Sequence, residues 1–78
     1  MKYVKKPIVV EAFRYGFDEK PEWFLSLKIL TNHENYCIVK TLEGGVICEN
    51  GDWVIKGIKG EFYSCKNEVF QENYLKIN

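Results

Sequence analysis

A chain of 78 residues with eleven basic and eleven acidic side chains has room for one domain, spanning 1–78, and carries no formal net charge. That balance argues against a general nucleic-acid binder, which shows a basic excess, and the longest apolar runs are too short for a membrane span. The three cysteines, Cys37, Cys48 and Cys65, form no CxxC pair and follow no signal-like leader, which points to a reducing cytoplasm and free thiols.

A domain this small buries only roughly 60–65% of the surface its unfolded chain exposes. Its core therefore leans on the two Trp, five Tyr and five Phe, or on a homo-oligomer that extends it.

Taken from the start, Ile8–Tyr15 is β-branched and aromatic and reads as a strand, ended by Gly16 and Asp18. Pro21–Lys28 reads as a short helix with Asp18 as its cap and Pro21 in its first turn. Trp23 and Leu27 share one face of it, with Phe24 beside them. Thr31–Asn35 is polar and reads as a loop. Strands follow at Tyr36–Leu42, Val46–Glu49, Asp52–Lys56 and Glu61–Lys66, separated by turns at Glu43-Gly44-Gly45, Asn50-Gly51 and Gly57–Gly60. Asn-Gly is a strong hairpin signal, because both turn positions require positive φ. Asn67 is placed to cap a helix over Glu68–Glu72 that buries Val69 and Phe70, and Tyr74–Ile77 reads as a short edge strand. The expected fold is α+β: an antiparallel meander of about four strands plus an N-terminal strand, with one or two short helices on one face.

A two-residue Asn50-Gly51 turn would set Cys48 opposite Trp53 and fix both faces of the meander. One face then carries Cys37, Val39, Val46, Cys48, Trp53, Ile55 and Phe62 and forms the core. The other carries Tyr36, Ile38, Lys40, Ile47, Val54, Lys56, Tyr63 and Cys65. On it, Tyr36 and Tyr63 suit a planar ligand and Lys40 and Lys56 an anion, although lysines also snorkel past apolar neighbours on a half-covered face. A slip of one residue would exchange the two faces.

Catalytic and metal signatures are absent from this pattern. The single histidine, His33, falls in a polar loop and reads as a surface residue; no spacing ties it to Cys37 or Cys65 as a nucleophile pair. No metal-ligand motif appears. Gly57-Ile58-Lys59-Gly60 lacks the Gly-Lys-Ser/Thr of a phosphate loop. Asp52, Glu49 and Glu61 lie near turns and read as solvated charges.

The run Gly51-Asp52-Trp53-Val54-Ile55-Lys56-Gly57-Ile58-Lys59-Gly60-Glu61-Phe62-Tyr63-Ser64-Cys65-Lys66, with Val69-Phe70 and Tyr74, resembles a widespread family of small phage and prophage proteins. Their C-terminal half resembles GDWIIKGVKGEFYPCKPDIFE..Y, and their N-terminus, similar to KYRKKPVVIEA, matches Lys2–Ala12. The resemblance covers roughly half the chain. Ser64 and Asn67 stand where the family often has proline, changes tolerable at a strand end and a helix cap. The resemblance implies a phage origin and a bacterial host cytoplasm, not a reaction.

The expectation is therefore a non-enzymatic binding protein without a cofactor. One version is a counter-defence protein that sequesters a nucleotide-type immune signal through Tyr36, Lys40, Lys56, Lys59, Tyr63 and Lys66, stacking the base and pairing the phosphate. The alternatives are a protein-binding inhibitor or adaptor of a host factor and a virion accessory.

Overall fold

In the computed structural model, which describes residues 1–25, 29–32, 35–41 and 44–77 (side chains excepted at 29–32 and 40–41), the described residues form six strands and two helices. In chain order these are β1 (Glu11–Arg14), α1 (Glu22–Leu25), β2 (Ile29–Asn32), β3 (Tyr36–Thr41), β4 (Gly44–Glu49), β5 (Trp53–Lys56), β6 (Phe62–Cys65) and α2 (Asn67–Asn73). The α+β class with antiparallel pairing is as expected. The single meander is not: the strands divide into two three-stranded sheets, sheet I in the order β2-β3-β4 and sheet II in the order β1-β5-β6.

The division happens at Asn50-Gly51. Glu49 carbonyl accepts from the Asp52 amide at 2.9 Å, so a tight turn does form there. Gly51 takes φ 94°, while Asn50 stays out of the positive region, which is the type II pattern rather than the hairpin pattern. The turn is also tied to the end of β1. Gly51 N–H donates to Tyr15 carbonyl at 2.8 Å, Tyr15 N–H to Asp52 carbonyl at 2.8 Å, and Arg14 Nε to Gly51 carbonyl at 3.0 Å. These bonds steer the chain off sheet I and into sheet II. Cys48 therefore faces Cys37 and not Trp53, whose neighbours are Arg14 and Cys65.

The first strand is shorter than its composition suggests, because a strand extends only as far as its partner. Glu11↔Lys56 is the last pair before the chain turns at Gly57, so Ile8 and Val9 lie outside β1 and are exposed. Asp18 does not cap α1. Its Oδ2 accepts from Arg14 N–H at 2.9 Å, and its own N–H donates to Arg14 carbonyl at 2.9 Å, closing the loop after β1. Pro21 carbonyl accepts from Phe24 and Leu25 at 3.0 and 3.2 Å to start the helix. Leu27, expected to share a face with Trp23, lies outside the described residues, as do the remainder of that helix (26–28), Leu42 and Glu43.

Thr31 and Asn32, expected in a loop, belong to β2, which pairs with β3 through Ile29↔Val39, Thr31↔Ile38 and Asn32↔Cys37. The register shifts between Ile29 and Thr31, which breaks the alternation a strand needs to be read from sequence. The hairpins β3–β4 and β5–β6 both form, but Gly44 and Gly45, expected in the turn, open β4 and pair with Thr41 and Lys40; β5–β6 is closed by Gly57 N–H to Glu61 carbonyl at 2.8 Å and by Gly60 at φ 80°.

The main core joins both sheets and α1. Phe13, Tyr15, Phe24, Cys37, Val39, Cys48 and Val54 are buried together, with Trp23 packed against them. Phe24 is fully enclosed and meets Phe13 edge-on at 4.8 Å, and Trp23 stacks on Phe62 at 5.8 Å. Such ring pairs add about 0.5–1.5 kcal/mol beyond their burial.

Strand alternation puts Phe13, Val54 and Phe62 on that core side of sheet II and Ile55, Trp53, Tyr63 and Cys65 on the other. The expected faces are thus exchanged in β5, where Val54 and Lys56 and not Trp53 and Ile55 take the core side, because its register is set by β1 and β6 and not by β4; Phe62, Tyr63 and Cys65 of β6 lie on the sides expected. The far side is covered by the C-terminal segment: Trp53, Phe70 and Tyr74 stack in sequence, with centroids 3.8 and 4.7 Å apart. Ile55 beneath them is fully buried. Asn67 is the first residue of α2 rather than its cap; its Oδ1 accepts from Trp53 Nε1 at 2.9 Å. Val69 is exposed instead of buried, and Tyr74–Ile77 form no strand.

Candidate functional site

The six residues expected to bind a ligand do not share one surface. Tyr36 begins β3, an inner strand of sheet I, opposite Glu49. Lys40 lies toward the other end of β3, and its side chain is outside the described ones. Lys56 opposes Phe62 on the core side of sheet II, at its margin, with Nζ 3.8 Å from Glu11 Oε2. Lys59 sits in the exposed β5–β6 turn, where its N–H donates to Glu61 Oε1 at 3.0 Å. Tyr63 opposes Ile55, so it faces away from Lys56. Among the described side chains, Tyr63 and Lys66 meet at a common concavity.

That concavity is an open groove of about 470 Å³ lined by Val46, Ile47, Glu49, Asp52, Tyr63, Ser64, Cys65 and Lys66. It separates β4, the outer strand of sheet I, from β6, the outer strand of sheet II, and the two are not paired with each other. Beneath it, between the sheets, lies an apolar space of about 10 Å³, bounded by Val39, Val46, Cys48, Val54 and Phe62 among others, room for at most one water.

Backbone direction can be read from the ladders, because hydrogen-bonded and non-bonded pairs alternate along an antiparallel pair. Asn50 N–H donates to Asn35 carbonyl at 2.8 Å, so the bonded pairs of β3–β4 are 35/50, 37/48 and 39/46. Ile47 and Glu49 therefore aim their backbone N–H and C=O out of sheet I. The Glu49 pair is satisfied by Asp52, whose Oδ2 accepts at 3.2 Å and whose N–H donates at 2.9 Å. The Ile47 pair faces the groove. On the other wall, Gly57 N–H to Glu61 carbonyl makes 57/61, 55/63 and 53/65 the bonded pairs. Phe62 and Ser64 then aim theirs outward.

The groove's charged end is a three-residue cluster. Lys66 Nζ lies 3.2 Å from Glu49 Oε2 and 3.4 Å from Asp52 Oδ2. Those two hydrogen bonds hold the ammonium above its ordinary value. Asp52 is buried, contrary to its reading as a solvated turn charge, and accepts from the Glu49 amide as well. An Asp directly after Asn-Gly is the one sequence signal that pointed to it, since a side chain there can reach back to the turn's first N–H. Neither Ile47, on the expected contact face, nor Ser64, where the similar phage proteins often carry proline, signals an outward backbone amide in the sequence.

Burial disfavours the thiolate at all three cysteines. Burial pushes Cys48 up to about 12, against a hydrogen bond with Ser64 that favours the thiolate, and burial also raises Cys37 and Cys65. His33, read as a surface histidine, lies outside the described residues. Among the described residues no group of three or more His, Cys, Asp or Glu side chains is placed to hold a metal ion, and no helix is long and apolar enough to cross a membrane. Compared with known proteins, the chain matches no family model, no curated protein and no solved structure.

Proposed function

We propose that this chain is a small non-enzymatic binding protein that takes an extended polypeptide segment along the groove between β4 and β6. The observation that carries the reading is the pair of unpaired sheet edges, at Ile47 and Ser64, that face one open groove. Edge strands recruit extended chains through main-chain hydrogen bonds, and neighbouring side chains supply selectivity. Here those side chains are the exposed Ile47, the half-exposed Tyr63 and the Glu49–Asp52–Lys66 cluster, which is acidic by one charge. The preferred ligand is an apolar segment with flanking basic residues.

A nucleotide-type signal is less well supported. Lys66 already lies between two carboxylates, and Lys56 and Tyr63 point to opposite sides of sheet II. The resemblance of Gly51–Lys66 to phage proteins supports a setting in the bacterial host cytoplasm, with a host protein as the partner and inhibition or adaptation as the outcome.

Substituting Ile47 separates these readings, since the residue is 58% exposed and its N–H lies outside the ladder. Immobilised natural chain should retain one stoichiometric polypeptide from host lysate, and Ile47→Pro, which deletes the outward donor, should lose it. Equal retention by both proteins, or heat on titration with nucleotides that survives Ile47→Pro, counts against the groove.

A further inference from the structure

The first ten residues carry more strand-forming surface than the fold uses. Tyr3, Val4, Ile8 and Val9 are exposed, three of them β-branched, and Met1–Val10 joins no sheet. The segment is exposed along most of its length, and the chain as a whole is more extended than a compact fold: the radius of gyration is 13.2 Å and the long axis 44 Å. A compact chain of this length has a radius of about 11.5 Å.

Charge divides in the same place. Met1–Val10 holds Lys2, Lys5 and Lys6 and no carboxylate, so in a chain of zero net charge the remainder carries −3. The segment sets Lys5 and Lys6 between the apolar pairs Tyr3-Val4 and Ile8-Val9, and the groove mixes the apolar side chains of Val46, Ile47 and Tyr63 with a charged end where Glu49 and Asp52 outnumber Lys66 by one charge.

Position rules out the segment's own groove as its seat in this fold. It leaves sheet II from β1, at the Lys56 end, whereas the groove follows β6, on the opposite side of β5, toward Lys66. At the β1 edge Arg14 N–H and carbonyl are both taken by the Asp18 loop, which leaves the N–H and carbonyl of Ala12 as the outward-facing pair within the strand. A second molecule presents the same groove without that restriction.

We infer that Met1–Val10 is an exchange arm that lies along β4 and β6 of a second copy of this chain. The inference rests on the reading of the groove as a seat for an extended segment, and it names that segment. Two copies that exchange arms satisfy both grooves by one two-fold operation, which closes the assembly at a dimer. Tyr3, Val4 and Ile8 then meet Ile47 and Tyr63, while Lys5 and Lys6 approach Glu49 and Asp52.

Sedimentation equilibrium of the full chain tests this directly, with circular dichroism confirming that each variant is folded. The natural chain should give twice the monomer mass at low salt. Lys5→Glu/Lys6→Glu should weaken association by about tenfold or more, because it opposes like charges across the contact, and 0.5 M salt should weaken the natural dimer in the same direction. Val4→Cys under mild oxidation should give a disulfide-linked dimer that disappears when Cys65→Ser is added, since Cys65 lines the groove. A monomer at every concentration overturns the inference, as does a dimer indifferent to Lys5→Glu/Lys6→Glu. A Val4→Cys cross-link that survives Cys65→Ser also overturns it. A monomeric natural chain whose lysate partner is still lost with Ile47→Pro ends the arm proposal and leaves the groove reading standing. A dimer whose Val4→Cys cross-link depends on Cys65, in a chain that retains no host polypeptide, ends the host-partner reading and leaves the arm.

Discussion

Trp53 donates its indole N–H to Asn67 Oδ1 at 2.9 Å, a bond that fastens α2 to the outer face of sheet II. The same indole lies parallel to the Phe70 ring, 6° from coplanar and 3.8 Å between centroids. One side chain thus supplies both the polar and the apolar attachment of the C-terminal helix, which has no fully buried residue of its own.

Asn67→Ala should lower the unfolding free energy by about 1–2 kcal/mol in urea titrations, since it leaves the half-buried indole donor without its acceptor. Asn67→Asp keeps an acceptor and should cost less. Trp53→Ala should cost about 3–5 kcal/mol, because it removes the stack and uncovers Ile55 as well. An Asn67→Ala loss equal to that of Trp53→Ala would mean the ring stack contributes nothing.

Two glycines test two different costs. Gly51→Ala should lose about 1 kcal/mol, a purely conformational penalty for a side chain at φ 94°, because the nearest atoms to an added Cβ are at 3.7 and 3.8 Å. Gly16→Ala should lose more. It combines φ 83° with an approach of 2.6 Å to Asn50 Oδ1. In an Asn50→Ala background the excess should shrink, which a double-mutant cycle by denaturant titration measures.

Stability should fall on the alkaline side. Cys48 is raised from 9.0 to about 12, and Tyr15 and Tyr63 from 10.0 to about 12, all first by burial; Tyr15 is raised further by its bond to Cys37 and Tyr63 by its bond to Tyr74. A folded-state value above the unfolded one means the contribution is complete below the unfolded value and is lost as pH rises toward the folded one. The melting temperature should therefore decline from about pH 9 toward pH 12. Cys48→Ala should flatten that decline. Tyrosinate absorbance at 295 nm should show Tyr15 and Tyr63 titrating with unfolding.

Thiol labelling should separate the cysteines by position. Cys65 is partly exposed, while Cys37 and Cys48 are enclosed in the core. With an aromatic disulfide reagent one thiol should react in the native state, and the other two only at the rate of global unfolding. Native-state reaction of two or more would contradict the packing of sheet I on sheet II.

The local parts of this fold are written in local chemistry. Gly57–Gly60 marks the β5–β6 hairpin, Gly16 ends β1, and the aromatic pair Trp23 and Phe24 announces a packing helix. What the sequence hides is which strand meets which. Asn50-Gly51 specifies a turn, but only Tyr15 and Arg14, far back in the chain, decide that the turn leads to a new sheet. From that one junction follow the shifted face of β5, the burial of Val54 and the parting of Lys56 from Tyr63. The polar residues of β2 and the bulge beside Ile29 concealed a whole strand. Of the expected contact residues, Tyr63 and Lys66 reach the groove. The backbone groups at Ile47 and Ser64 were invisible, since an outward edge amide has no residue code.

Sheet I is nested within sheet II along the chain: β2, β3 and β4 all lie between β1 and the strand it pairs with. On a ribosome, β1 emerges early and waits until Trp53–Lys56 follows, while the β3–β4 hairpin can close as soon as it appears. A folded sheet I draws Arg14 and Trp53 together and shortens the loop that β1–β5 pairing must close. β1 is thus made before the other described strands and is among the last of them to be satisfied. During that interval it is the part of the molecule most open to another chain.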